Sequence, residues 1–278
     1  EITPENIIKA YNVVGKKLEG NVAVKMHSGE KGNQNYLRPE FVKDMVNYVH
    51  GTVVECNTAY EGARNSTEKH RELIKEHEWD KYFPFDLLDA EGPDMELDVP
   101  NGKVLKKNSV GKDLAKYDSL LVLSHFKGHA MGGYGGALKQ LSIGCASSAG
   151  KTLIHTAGVT DDQTKLFGNL PEQDRFLEAM ADAASSVVNY FHGNAVYTGN
   201  LPGGPFQECI IQDQTGNPFH NRQIIIVITS ANIAECHSGI LPGSGYPARR
   251  SHACGTWQFS GKGQAASPDF PKTEASAV

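Results

Sequence analysis

The sequence predicts an α/β protein, with a mostly parallel sheet carrying helices on both faces as a three-layer sandwich. Two observations support this. Short β-branched apolar runs flanked by glycine alternate with stretches of helical periodicity, and polar, glycine-bearing loops follow the apolar runs. The 278 residues, 39% hydrophobic and 21% charged, suffice for a substantial core with no stapling metal or disulfide.

Taken in order, "EITPENIIKAYNVVGKKLEG" reads as an amphipathic helix and "NVAVKM" (21–26) as the first strand. "RPEFVKDMVNYVH" sets Phe41, Val42, Met45, Val46 and Val49 on one helical face, and "GTVVEC" (51–56) returns as the second strand. "NSTEKHRELIKEHEW" is a helix whose Asn65 and Glu68 have capping-box spacing, with His70 expected on its surface. "DSLLVLSHF" (118–126) is the third strand, "EQDRFLEAMADAASSVVNYFH" (172–192) a long helix, and "QIIIVIT" (223–229) the last strand. A glycine-, serine- and proline-rich stretch follows. An α/β domain over 1–230 and an irregular segment over 231–278 are therefore expected.

Composition removes several functions. A net charge of -5 offers no overall positive field for nucleic acid or anionic lipid. No apolar run approaches the ~20 residues of a membrane span, and the amino-terminal stretch does not read as a signal peptide, so a cytoplasmic location is expected. The five cysteines are widely spaced with no C-x-x-C pair, as in a chain with reduced thiols.

In parallel α/β sheets ligands sit beyond the carboxyl ends of the strands, which singles out "HSGEKGNQNY", "NTAYEGARN" and "KGHAMGGYGG". The third is densest in chemistry. "SHFKGHAMGGYGGALKQLSIGCASSAGK" holds two histidines, three lysines and seven glycines. Gly132, Gly133, Gly135 and Gly136 are expected to form an anion-binding nest, reinforced by a helix beginning at "ALKQ", with Lys127 and Lys139 supplying charge. His125 and His129 are candidate acid, base or metal ligands, and with Lys139 they form the candidate catalytic set. Neither the dinucleotide nor the P-loop glycine pattern is present. A metal at the two histidines needs further ligands from neighbouring loops, such as His27, Cys56 or His155. In the second loop Asn57, Thr58 and Arg64 offer donors, Arg64 in a form suited to clamping a carboxylate or phosphate. In the first, His27 and Glu30 suit ligand contact and a plain turn equally.

"VAVKMHSGE", "GTVVECNTAYEGARNSTEKH", "LSHFKGHAMGGYGGALKQLSIGCASSAGK", "HTAG" and "FGNLPEQDRFLEAMADAA" together resemble the bacterial and archaeal domain-of-unknown-function family numbered 362, over residues 1–192. The resemblance implies an iron–sulfur association in anaerobes, hence an electron-transfer or oxidoreductase role with an iron–sulfur cluster or other metal and a ferredoxin-type partner. Cys56, Cys145, Cys209 and His27 are then the candidate metal ligands. The chain departs from the family pattern at Gln140, where Asn is usual, and in having only Cys209 near the usual Cys-Asp-Cys segment. With no ferredoxin cysteine run, a cluster held in C-x-x-C-x-x-C fashion is excluded. The glycine-rich loop is also distantly similar to that of nickel-dependent lactate racemase-type proteins. The alternatives to a redox role are a metal-assisted enzyme moving a proton on a small carboxylate, and a non-catalytic binder of a small acidic or phosphorylated molecule.

Overall fold

A computed structural model describes residues 3–14, 17–92, 94–125 and 127–191, together with the strands Ala195–Tyr197 and Ile226–Ile228. The expected irregular segment 231–278 and Cys209 lie outside the described residues. The elements run α1 (Pro4–Val14), β1 (Val22–Lys25), α2 (Pro39–Tyr48), β2 (Gly51–Glu55), α3 (Thr67–Glu76), β3 (Phe85–Leu87), β4 (Met95–Asp98), β5 (Lys107–Val110) and β6 (Ser119–His125). There follow β7 (Lys127–His129), β8 (Gly133–Gly135), α4 (Ala137–Leu141), α5 (Ser148–His155), α6 (Gln173–Tyr190), β9 (Ala195–Tyr197) and β10 (Ile226–Ile228). Among the described residues no helix is long and apolar enough to cross a membrane.

The main sheet has the order β10-β6-β1-β2-β3, with β9 also on β6, and every pairing is parallel. Strand alternation divides its side chains between two cores. Val22, Val24, Leu121 and Leu123 meet Ile7 and Tyr11 of α1 and Val42, Met45 and Val46 of α2 on one face. Ala23, Val54, Leu120 and Val122 meet Leu141 of α4 and Ala184 and Val187 of α6 on the other. Helices thus cover both faces, as the sequence predicts. A smaller apolar cluster joins α5 and α6 to Val99 and Leu105 of the connection between the antiparallel strands β4 and β5. Asp182 of α6 accepts from the backbone N–H groups of Lys103, Val104 and Leu105, fastening the β4–β5 connection.

Three local expectations are corrected. The cap of α3 is Ser66, whose Oγ accepts from the Lys69 N–H, while Asn65 Oδ1 accepts from the Lys69 ammonium. His70 is fully buried, because the face of α3 that carries it lies against the end of β2, where a buried carboxylate needs partners. "KGHAMGGYGG" is not an open loop but a short antiparallel hairpin, β7–β8, pairing Lys127 with Gly135 and His129 with Gly133.

Candidate functional site

From β1 the chain builds outward to β2 and β3, then returns to the opposite edge of β1 with β6. Connections on the two sides of β1 diverge at such a point, and in parallel α/β sheets ligands characteristically sit there, beyond the carboxyl ends of β1 and β6. Lys25 ends the first strand with His27 two residues beyond it, Glu55 ends the second with Asn57 two beyond, and His125 ends the third with Lys127 two beyond, opening β7. The topology therefore brings all three predicted loops to one end of the sheet.

The base of this region is a buried charge network. Glu55, 3% exposed, accepts from Arg64 Nη1 at 2.7 Å and from the Ser28 N–H at 2.9 Å, and lies 3.2 Å from His70 Nε2. Burial alone would raise its pKa, but Arg64, His70 and Lys25 outweigh that and hold the carboxyl well below its usual range. Arg64 also pairs with Glu30, so its carboxylate partners come from the protein itself. His70 Nδ1 contacts Asn57 Oδ1 at 3.1 Å, and Asn57 further engages Asp89 and Thr67. The Thr58 hydroxyl donates to the Tyr60 carbonyl. Asn57, Thr58 and Arg64, expected to meet a ligand, are thus engaged by partners within the protein. Lys25, 1% exposed, donates to the Met26 carbonyl and to Gln140 Oε1 at 2.9 Å, which gives the unusual Gln140 a structural task. Burial lowers its pKa.

Above the network stand cations of another kind. The stems of Lys127 and Lys139 flank Gly135, where a Cβ would meet Lys127 Cγ at 3.7 Å and Lys139 Cδ at 3.8 Å. Neither ammonium forms a hydrogen bond or ion pair with a described residue. Burial, then the Lys127 and Arg64 charges, push Lys139 down to about 8. Lys127 is lowered by burial and by Arg64.

The histidines divide by tautomer. His129 Nδ1 accepts from the Gly132 N–H at 3.0 Å, so its neutral ring carries the proton on Nε2. Burial and the nearby Lys139 push its pKa down to about 4, leaving a neutral donor at ordinary pH. His155 is the reverse. Its Nδ1 lies 2.7 Å from the Lys151 carbonyl, which only accepts, so Nε2 holds the lone pair; burial again gives a pKa of about 4. The pKa of His125 is lowered by burial and Lys127, and that of His27 falls well below its ordinary value through burial and Arg64. His27 Nδ1 accepts from the Gly29 N–H at 2.9 Å.

The expected glycine nest takes a different form. Gly133 has the left-handed backbone that favours glycine, at φ 71°, whereas Gly136 is extended at -174° and Gly135 belongs to strand β8. The Gly132 N–H is used by His129. Convergent backbone donors are thus replaced by a hairpin that sets two lysine stems side by side. Sequence reasoning also missed Lys25, Glu55, His70 and Lys151 as buried polar groups of this region. The available signal was a charge at the end of each of two apolar strands, since lysine and glutamate are rarely buried unless partnered.

The two described cysteines, Cys56 and Cys145, do not by themselves form a cluster site. Cys56 donates to the Cys145 carbonyl and Cys145 to the Gln140 carbonyl, both at 3.5 Å. Burial raises both thiols, Cys145 to about 11 and Cys56 well above its ordinary value. Among the described residues no group of three or more His, Cys, Asp and Glu side chains is placed to share a metal ion. Two protonated, carbonyl-bonded thiols are short of the thiolate set that an iron–sulfur centre takes.

The fold and this end of its sheet define a parallel α/β protein with a histidine- and lysine-bearing strand-end site. A family model, "Domain of unknown function (DUF362)", matches residues 22–229, and the chain belongs to that family. Among solved structures the chain is similar to the lactate racemase apoprotein from Thermoanaerobacterium thermosaccharolyticum, at 13% identity and a TM-score of 0.43, over 67% of this chain and 47% of that one. It is also similar to a protein from Thermotoga maritima, at 14% identity and a TM-score of 0.40, over 68% of this chain and 47% of that one. The matched part spans less than half the length of either structure. No curated protein matches the chain.

Proposed function

We propose that the strand-end site binds a small anionic molecule, a carboxylate or phosphate, and acts on it by proton transfer. The observation that carries this reading is the pair Lys127 and Lys139, two half-buried lysines whose stems flank Gly135 and whose ammonium groups form no ion pair with a described residue, Glu30 acting on them only at longer range. Lys25 and Arg64, more deeply buried, have their partners within the protein. An anion arriving between two such lysines relieves both their repulsion and their desolvation. His129, neutral with its proton on Nε2, is suited to donate a hydrogen bond to a substrate oxygen on which charge develops. His155, with Nε2 bare, supplies the complementary base. An electron-transfer role with a ferredoxin-type partner finds no donor set among the described residues, and no step here is assigned to a metal.

The test is calorimetric titration of the purified chain with a panel of small carboxylates and phosphate esters. A binder is expected, with affinity reduced roughly tenfold to hundredfold in Lys139→Met, the loss of one charge-assisted hydrogen bond of ~1.5–3 kcal/mol. Affinity should also fall as pH rises through about 8, where Lys139 loses its charge. An anion that binds with unchanged affinity to Lys127→Met and Lys139→Met alike places its site elsewhere.

A further inference from the structure

We propose that Lys139 is a nucleophile that forms an imine with a small 2-oxo carboxylate whose acid group is held by Lys127. This rests on the anion-binding reading above and names its substrate class. The geometry comes first. Lys139 lies on α4, directly after the hairpin that carries Lys127, and the two stems flank the same glycine, Gly135. In a 2-oxo acid the carboxylate and the electrophilic carbon are adjacent atoms, so two neighbouring lysines can divide them between charge partner and attacking amine. A lysine attacks only as the free amine, and desolvation beside another cation is what frees it. Lys127, Arg64 and Lys151 supply the like charge around Lys139, Glu30 the opposing one, and the outcome is a pKa of about 8. The exposed Lys103 and Lys107 gain carboxylate partners instead.

The step balances without a redox partner. Lys139 Nζ adds to the keto carbon, forming the N–C bond while the carbonyl π pair moves to oxygen. The Nε2–H of His129 stands ready to hydrogen-bond that oxygen as it gains charge. The oxygen takes one proton from the attacking amine and a second from solvent, then leaves as water as the nitrogen lone pair closes the C=N bond. Amine, ketone and one solvent proton become iminium and water. The resulting iminium withdraws electrons from the adjacent carbon, the activation that proton transfer there requires.

The test is reductive trapping of the full chain with pyruvate and borohydride near neutral pH, followed by mass spectrometry and peptide mapping. One adduct per chain is expected, at Lys139, formed roughly tenfold or more faster than at exposed lysines, whose free-amine fraction is far smaller. Lys127→Met should slow it by about tenfold, the effect of losing one carboxylate contact. Lys139→Arg, which keeps the charge, should abolish it, with circular dichroism checking that the variant folds. Calorimetry with pyruvate and with propionate, which has no carbonyl, separates the two readings. If both bind but adducts spread evenly over exposed lysines, the imine is refuted and the anion site stands. If neither binds and no site is trapped, both fail for this class of ligand.

Discussion

Replacing Glu55 by glutamine tests whether the buried network holds the first two strand-end loops together. Glutamine keeps the shape and removes the charge. Arg64 Nη1 loses a carboxylate at 2.7 Å, and an amide NH₂ would now face donors where the Ser28 N–H, at 2.9 Å, and His70, at 3.2 Å, found oxygen. Breaking one partner of a buried pair costs about 3–5 kcal/mol. The lower end is expected, since Glu30, whose side chain is 40% exposed, still neutralises Arg64 in part. Urea denaturation followed by far-ultraviolet circular dichroism gives the difference. The pH dependence sharpens it. A carboxyl held below its ordinary value of 4.5 contributes stability that is present above that value and lost as pH falls through the depressed one. The gap between wild type and Glu55→Gln should therefore be full at neutral pH and close in acid. A loss below about 1 kcal/mol at neutral pH, the size of a surface pair, would refute the network as a structural clamp.

Asp182→Ala should destabilise the chain by about 1.5–3 kcal/mol, because three backbone N–H groups of the β4–β5 connection lose a charged acceptor; the urea midpoint reads it. Gly135→Ala should keep anion affinity, as its Cβ makes ordinary contacts at 3.7 and 3.8 Å, whereas Gly135→Leu should abolish binding by wedging Lys127 and Lys139 apart, with circular dichroism unchanged. Lys139→Met should stabilise the ligand-free chain, on the order of 1 kcal/mol after solvent screening, by removing a desolvated charge near Lys127 and Arg64. Because Lys139 is lowered from 10.5 to about 8, wild-type stability should rise with pH across that interval, and the variant should lack the slope.

The layered fold was legible because the strands of the sheet are short apolar runs and α2 and α6 carry apolar stripes, signals that depend on local sequence alone. Strand β3, three residues long, and the β4–β5 pair, four residues each with charged or polar residues interleaved, were not, since their pairing depends on residues distant in sequence. The same division runs through the site. Three loops at strand ends follow from topology, but whether a polar residue in one of them faces a ligand or its own protein depends on contacts between loops. Arg64 illustrates this. Its sequence neighbours suggest a clamp for a foreign carboxylate, yet Glu55 and Glu30, nine and 34 positions away, occupy it.

That contrast bears on how the lysines are read. A buried cation with partners within the fold is explained by the fold; Lys25, against the Met26 carbonyl and Gln140, is such a group. A desolvated pair of like charges without partners among the described residues destabilises the chain that carries it, and a folded protein retains such strain where it serves a ligand. The two kinds of lysine answer opposite tests. Replacing Lys25 by methionine should weaken the fold by leaving the Met26 carbonyl and Gln140 Oε1 without their donor, while Lys139→Met should strengthen the fold and silence the site. Chemical type alone would not separate them; the presence or absence of a partner within the protein does.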